Sequence, residues 1–96
     1  MKAYCLFDNI QVHDLAKLNL YKSQVGPIVE KFGGHYIILG GQFTVVEGNW
    51  KPVYVVMIEF PNYQKANEWY ASEDYQELKS LRLSAVQSNG IIIEGL

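Results

Sequence analysis

The chain contains a single arginine, Arg82, among its eight lysine and arginine residues. A guanidinium group stays charged at any physiological pH, and its planar array of N–H donors fits a carboxylate or a phosphate. Arg82 is therefore a candidate ligand-binding residue for an anionic molecule. The same group also suits a structural ion pair with Asp8, Glu59 or Glu73, and the residues alone leave both roles open.

Two carboxylates, Asp8 and Glu59, lie near the ends of otherwise apolar segments. A carboxylate buried in such a segment must be paired or have its pKa raised, and a raised pKa is typical of catalytic acids and bases. We treat Asp8 and Glu59 as candidate catalytic residues and Asn9 as a candidate ligand-binding residue. The alternative places Asp8 and Asn9 in solvent at the rim of a sheet, with Glu59 bonded to a neighbouring backbone group.

Aromatic residues are the third group that could form a site. Trp69, Tyr75 and Tyr36 could line a pocket for a planar or apolar ligand, and we take them as candidate ligand-binding residues. Packing in the core or at a subunit interface is the alternative role for each of them.

Other chemistries lack the residues that they need. His13 and His35 have no further residues near them at the spacing of metal ligands. Neither histidine falls on a predicted helix, which is where we would expect a haem ligand. Cys5, the only cysteine, is predicted to be an inert core thiol. Ser72 is best interpreted as a helix cap, and the paired glycines lack the spacing of a phosphate loop. We therefore expect no metal and no cofactor.

Composition restricts the class of protein. The 96 residues predict one domain, residues 1–96, and nearly half of them are hydrophobic. The net charge is −2 and the basic residues are scattered, which argues against nucleic acid as a partner. No segment resembles a signal peptide or is apolar for long enough to cross a membrane. We expect a soluble cytoplasmic protein.

Hydrophobic periodicity predicts the elements that position these residues. Paired glycines at 33–34 favour the end of a helix, and Gly26-Pro27 predicts a kink or a restarted turn within it. The predicted elements are a strand over 3–10, a helix from Asp14 to Phe32, strands over 35–39 and 42–47, a central strand over 53–60, helices that begin at Asn62 and Ser72, and a strand over 91–94 after a turn at 88–90.

This order, β-α-β-(β)-β-α-β, is the ferredoxin-like pattern of the α+β class, βαββαβ, in which an antiparallel sheet carries two helices on one face. The central strand is apolar on both of its faces, and so is the first strand. Two helices cover only one face of the sheet, and an apolar second face is larger than a monomer tolerates. We expect two sheets to pack face to face in a homodimer.

Several stretches together resemble a known family. They are Phe32-Gly33-Gly34, Gly40-Gly41, Val46-Glu47-Gly48-Asn49-Trp50, Ile58-Glu59-Phe60-Pro61, Trp69-Tyr70-Ala71-Ser72-Glu73-Asp74-Tyr75, Leu81-Arg82 and Ile93-Glu94-Gly95. The chain resembles, almost from end to end, the small bacterial proteins of the family called domain of unknown function 1330, within the dimeric α/β-barrel superfamily. The resemblance implies a ferredoxin-like fold and a homodimer, and it implies no activity.

The chain departs from that family at two places. Members usually carry an arginine just before the second glycine pair, where this chain has Leu39, so any anion contact made by that arginine would be lost. The first helix also contains one additional residue near Val25-Gly26-Pro27, which fits the predicted kink.

These observations lead to two functional hypotheses. The first is a homodimer that binds a small organic molecule, including an anionic one, between the sheet and the helices of each subunit. By analogy with its superfamily, its activity would be cofactor-free acid–base or oxygenase-like chemistry. The second is a non-enzymatic interaction or structural module, in which side chains fill the space between sheet and helices.

Overall fold

The computed structural model describes residues 1–96. Along the chain it contains β1 (Ala3–Val12), α1 (Leu15–Lys31), β2 (His35–Leu39), β3 (Val55–Phe60), α2 (Tyr63–Ala71), α3 (Glu73–Ala85) and β4 (Val86–Glu94). None of the helices is both long enough and apolar enough to cross a bilayer.

The four strands form one antiparallel sheet in the order β2-β3-β1-β4. This is the ferredoxin-like arrangement of the α+β class that the sequence predicts. β1 and β3 occupy the centre, as expected for the two segments that are apolar on both faces. Residues opposite one another in neighbouring strands share a face, so the register assigns each side chain to one side of the sheet.

Helix α1 agrees closely with its prediction. The side chain of Asp14 accepts a hydrogen bond from the backbone N–H of Lys17 and caps the first turn. Leu18, Tyr21, Val25 and Val29 are buried against the sheet. The helix continues through Pro27 without a second start, so the predicted restart does not occur.

The second helical region divides at Ser72, as predicted, into α2 and α3. Asn62 caps α2 through a bond from the backbone N–H of Lys65. The hydroxyl of Ser72, however, donates to the carbonyl oxygen of Trp69 and makes no bond to the first turn of α3. Ser72 therefore ends one helix with its side chain and begins the next without a side-chain cap.

The predicted strand over 42–47 is wrong. Residues 40–54 form a long connection between β2 and β3, which we call the arm, and residues 42–47 lie in no strand and are exposed. The alternation of Phe43 and Val45 favours an extended strand, but a strand needs a neighbour for its backbone groups, and this segment pairs with none in the sheet.

The last strand is longer than predicted, and the turn expected at Ser88-Asn89-Gly90 does not exist. β4 begins at Val86, directly after α3, and Gly90 lies within it opposite Phe7. A Cβ atom at Gly90 would lie 2.5 Å from the Phe7 ring. Close packing against an aromatic side chain therefore explains this glycine.

The sheet face opposite the helices carries a continuous set of apolar side chains. Ile91 and Ile93 in β4 are 54% and 53% exposed, and Ile38 in β2 is 37% exposed. The register places four further apolar residues on this face, and we call the whole set the open face. Its apolar members are Tyr4, Leu6, Ile38, Val55, Met57, Ile91 and Ile93.

Asp8 fastens the arm to the sheet. Its side chain is buried and accepts hydrogen bonds from Trp50 Nε1 at 3.2 Å, from the backbone N–H of Val53 at 3.0 Å and from that of Tyr54 at 3.1 Å. One carboxylate thus satisfies donors that an unpaired loop would leave without partners. The arm returns to β3 in a fixed register because Asp8 holds its end.

Replacing Asp8 with Ala should lower the free energy of unfolding by about 1–3 kcal/mol, since three partly buried donors lose their acceptor. Urea unfolding measures this loss, and faster amide hydrogen exchange at Val53 and Tyr54 would locate it in the arm. Asp8→Asn is the matched variant and should lose less, because it keeps one acceptor oxygen. Unchanged stability and exchange in Asp8→Ala would show that the arm does not depend on this carboxylate.

Candidate functional site

A cavity of about 440 Å³ lies between α1 and the helix-covered face of the sheet. This volume falls within the range of roughly 300–1,000 Å³ that is typical of small-molecule sites. Most of its wall is apolar or aromatic. The lining residues are Phe7, Asn9, Leu18, Tyr21, Lys22, Val25, Gly26, Tyr36, Leu39, Tyr54, Val56, Ile58 and Arg82.

Arg82 reaches this cavity from α3, and it is only 5% exposed. Its Nη1 donates to Ser88 Oγ at 3.0 Å, and its guanidinium carbon lies 4.8 Å from the centre of the Phe7 ring. None of the ion pairs in the structure includes Arg82. The alternative of a structural ion pair with Asp8, Glu59 or Glu73 is therefore absent, and the guanidinium is buried without an anion.

Phenol groups lie next to the guanidinium. Tyr21 and Tyr36 line the cavity, and the hydroxyls of Tyr21 and Tyr75 are hydrogen-bonded at 2.8 Å. Burial raises the pKa of Tyr36 to about 12, although the positive charge of Arg82 acts in the opposite direction. Burial likewise raises the pKa of Tyr21 and of Tyr75. All three phenols consequently stay protonated near neutral pH and can serve as hydrogen-bond donors.

The predicted site residues divide into three groups in space. Arg82, Tyr36 and Asn9 meet at the cavity. Trp69 and Tyr75 do not line it, because both are completely buried and their ring centres lie 4.3 Å apart in the aromatic core. Tyr75 still contacts the site through its bond to Tyr21, whereas the indole N–H of Trp69 has no acceptor.

Asp8 and Glu59 form the third group, on the opposite side of the sheet. Neither lines the cavity, and their register partners Val55 and Tyr4 belong to the open face. Lys2 Nζ bonds to Glu59 at 2.6 Å, and this bond holds the pKa of Glu59 below its usual range. Both carboxylates are thus engaged in contacts away from the cavity. No group of three or more His, Cys, Asp or Glu side chains is arranged to hold a metal ion.

Sequence reasoning missed the residues at the mouth of the cavity. Lys22 and Gly26 on α1 line the cavity opposite Leu39, which ends β2, and Tyr54, which ends the arm. Lys22 Nζ lies 5.5 Å from the centre of the Tyr54 ring. Leu39, the position at which the chain departs from the family pattern, is thus part of the cavity wall. No local signal identified Lys22 or Tyr54, because the mouth exists only once α1 packs beside the arm.

Tyr21 was also missed, although a signal was present. A tyrosine on the inward stripe of an amphipathic helix buries its hydroxyl, and a buried hydroxyl needs a polar partner. This requirement predicts a second polar group near Tyr21, which the structure supplies as Tyr75.

The buried phenols predict how stability depends on pH. Because the pKa of Tyr36 rises from 10.0 to about 12 on folding, its contribution is fully present below pH 10 and is lost as the pH rises towards about 12. Urea unfolding between pH 8 and pH 11 should show a less steep loss in Tyr36→Phe than in the wild type. Tyr63→Phe, at a tyrosine that is 46% exposed, should keep the wild-type slope, and equal slopes in all three proteins would contradict the assignment.

Comparisons with solved structures agree with this fold. A protein of unknown function from Rhodopseudomonas palustris superposes with a TM-score of 0.76 at 19% identity, covering 99% of this chain and 82% of that one. SnoaB, a cofactor-independent oxygenase from Streptomyces nogalater, gives a TM-score of 0.65 at 11% identity, covering 99% and 91%. A dimeric protein of unknown function with a ferredoxin-like fold from Bacteroides fragilis gives 0.63 at 9% identity, covering 98% and 96%.

At these identities the structural matches establish the fold alone. A search of curated proteins finds no match. The sequence model of the domain of unknown function DUF1330, however, matches residues 2–96, and this agrees with the motifs that the sequence carries. The chain therefore belongs to the DUF1330 family.

Proposed function

We propose that this protein binds a small organic anion in the cavity between α1 and the sheet, with Arg82 as the partner of the negative charge. The observation that carries the proposal is a guanidinium that is 5% exposed and has no carboxylate beside it. Burying an ion without a counter-ion costs several kcal/mol even after the structure relaxes. An anion bound beside Arg82 would pair with this charge and offset that cost.

The contacts that Arg82 does make leave room for that anion. Ser88 accepts one of its several N–H donors, and the Phe7 ring faces the guanidinium. A ring face offsets part of the desolvation of a cation, but it supplies no hydrogen-bond acceptor. A carboxylate or similar group in the cavity would accept the remaining donors, and in an apolar site such charge-assisted bonds are strong.

The rest of the wall supports an organic ligand. The apolar and aromatic side chains that surround Arg82 would contact a hydrocarbon or aromatic body, and burying that body supplies affinity. Lys22 at the mouth adds a second positive charge where a ligand would enter. A small free anion would gain only the charge contacts, whereas an aromatic or aliphatic acid would gain both.

The same lining favours binding over acid–base catalysis. No Asp, Glu or His side chain lines the cavity, and the phenols have raised pKa values, so none of these groups is a base near neutral pH. Oxygenase-like chemistry needs no protein base if the substrate arrives as an enolate or phenolate, in addition to the carboxylate that Arg82 would bind. An activity of that kind, as in the oxygenase SnoaB, is therefore the chemistry that this site would support best. The open cavity disfavours a purely structural module.

We also propose that the protein is a homodimer formed through the open face. Exposed apolar surface as extensive as this is uncommon on a monomer, and a second copy related by a twofold axis would cover both faces at once. A Bacteroides fragilis protein of the same fold is dimeric, which supports a dimer of this chain. The cavity lies on the other side of the sheet, so dimer and ligand would occupy separate surfaces.

The binding proposal predicts the behaviour of Arg82→Met, which keeps the length of the side chain and removes its charge. In a thermal-shift screen of aromatic and aliphatic carboxylates, at least one should stabilise the wild type by roughly 2.7 kcal/mol at a hundredfold excess over its dissociation constant. Arg82→Met should lose this stabilisation. Without ligand it should be as stable as the wild type or more so, because a buried unpaired charge has been removed.

Lys17→Met is the matched control, since it removes one charge at an exposed position of α1, and it should keep the ligand response. Two results would contradict the proposal. One is a carboxylate response that persists in Arg82→Met. The other is a ligand-free Arg82→Met that is several kcal/mol less stable than the wild type, which would make the guanidinium a structural group.

The dimer proposal predicts that a charge in the open face separates the subunits. Ile93→Lys should convert the protein from twice the chain mass of 11.0 kDa to a monomer in light scattering, because a lysine buried within an apolar interface loses its hydration. Leu20→Lys, at a residue of α1 that is 49% exposed, should leave the mass unchanged. A wild-type protein that is monomeric at high concentration would refute the proposal.

A further inference from the structure

One residue of the cavity wall carries a polar atom that no group in the protein satisfies. Asn9 lines the cavity, and its Oδ1 is buried without a hydrogen-bond donor. Its backbone N–H is already engaged with the carbonyl oxygen of Tyr54 at 2.9 Å. Buried side-chain acceptors are nearly always paired in folded proteins, so an orphan in the wall of a cavity indicates a partner that comes from outside the chain.

The register of the sheet places this acceptor near the guanidinium. Asn9 in β1 lies directly opposite Ser88 in β4, and Ser88 is the residue that accepts from Arg82 at 3.0 Å. Residues in such a pair have Cα atoms about 4.5–5.5 Å apart. Asn9 and Arg82 therefore flank the same serine, and a small molecule at Arg82 lies within reach of the Asn9 amide.

The polar groups of the cavity differ in what they offer. Arg82 can only donate hydrogen bonds, whereas the hydroxyls of Tyr21 and Tyr36 can donate or accept. The Asn9 oxygen can only accept one. A ligand that satisfies this wall must carry an acceptor of negative charge for Arg82 and, close to it, a donor for Asn9.

We infer that the ligand is an organic acid with a hydroxyl or amino group near its anionic end, and that Asn9 is the residue that selects for that group. This inference rests on the proposed binding of an organic anion at Arg82. It adds a substrate class, hydroxy or amino acids with an apolar or aromatic body, and a specificity-determining residue. A ligand without the donor leaves the Asn9 acceptor buried and unpaired, and sites built this way discriminate strongly against such analogues.

Calorimetric titration with matched acids tests the inference on the intact protein. The probes are benzoate, the three hydroxybenzoate isomers and 3-aminobenzoate. At least one substituted acid should bind the wild type roughly tenfold or more tightly than benzoate, since a satisfied buried acceptor adds at least that much discrimination. Asn9→Leu, which keeps the size of the side chain, should bind that acid and benzoate equally well.

Two further variants distinguish loss of the Asn9 acceptor from misfolding of Asn9→Leu. Asn9→Ala needs no additional space in the core and should lose the preference in the same way. Asn19→Leu makes the same exchange at an exposed position of α1 and should keep the preference of the wild type.

The outcomes separate this inference from the proposal on which it rests. If benzoate binds in an Arg82-dependent way and every substituted acid binds equally well, the role of Asn9 is overturned while anion binding stands. A preference that survives in both Asn9 variants also overturns that role, because another group must then accept the hydroxyl. If none of the acids binds, anion binding and the selectivity inferred from it both fail.

Discussion

The burial of one positive charge is the constraint on which the rest of this structure depends. Arg82 extends from α3 to the cavity, beside the Phe7 ring, and it is almost inaccessible to solvent. A charge in that position must be stabilised by what surrounds it. The fold supplies a serine hydroxyl, a ring face and nearby phenols, and it supplies no carboxylate. Of the acidic residues that sequence reasoning offered as partners, Asp8 and Glu59 lie on the open face, and Glu73 is exposed in the first turn of α3.

The two faces of the sheet differ in how their polar groups are paired. Alternation along β1 directs Asn9 into the cavity and its neighbour Asp8 to the opposite side, where Asp8 fastens the arm. On the helix side the Asn9 oxygen and part of the Arg82 guanidinium have no partner, whereas Asp8 and Glu59 on the open face are already paired. We interpret the helix side as the binding side and the open face as the assembly side. A single strand thus contributes to both, and one step along the chain changes the role of a residue.

Much of this organisation could be predicted from the sequence. The apolar period of β1 and β3 gave the central strands, the cap at Asp14 gave the start of α1, and the uniqueness of Arg82 marked it for chemistry. The predictions from sequence failed for residues whose structural role depends on a partner far away along the chain. Gly90 looked like a turn residue, but it lies in β4 because the Phe7 ring occupies the space of a side chain. Asp8 looked like a catalytic acid, but its donors come from the arm more than forty residues away along the chain.

The central claim is that the guanidinium of Arg82 binds the negative charge of a ligand. Nuclear magnetic resonance tests this claim most directly. Because the chain has one arginine, its side-chain Nε–H and Nη–H signals can be assigned without ambiguity in ¹⁵N-labelled protein. The account predicts signals that exchange slowly with water and that shift in a saturable way when a stabilising carboxylate is added. Signals that stay unchanged while such a carboxylate saturates the protein would contradict it, because the anion would then be bound elsewhere.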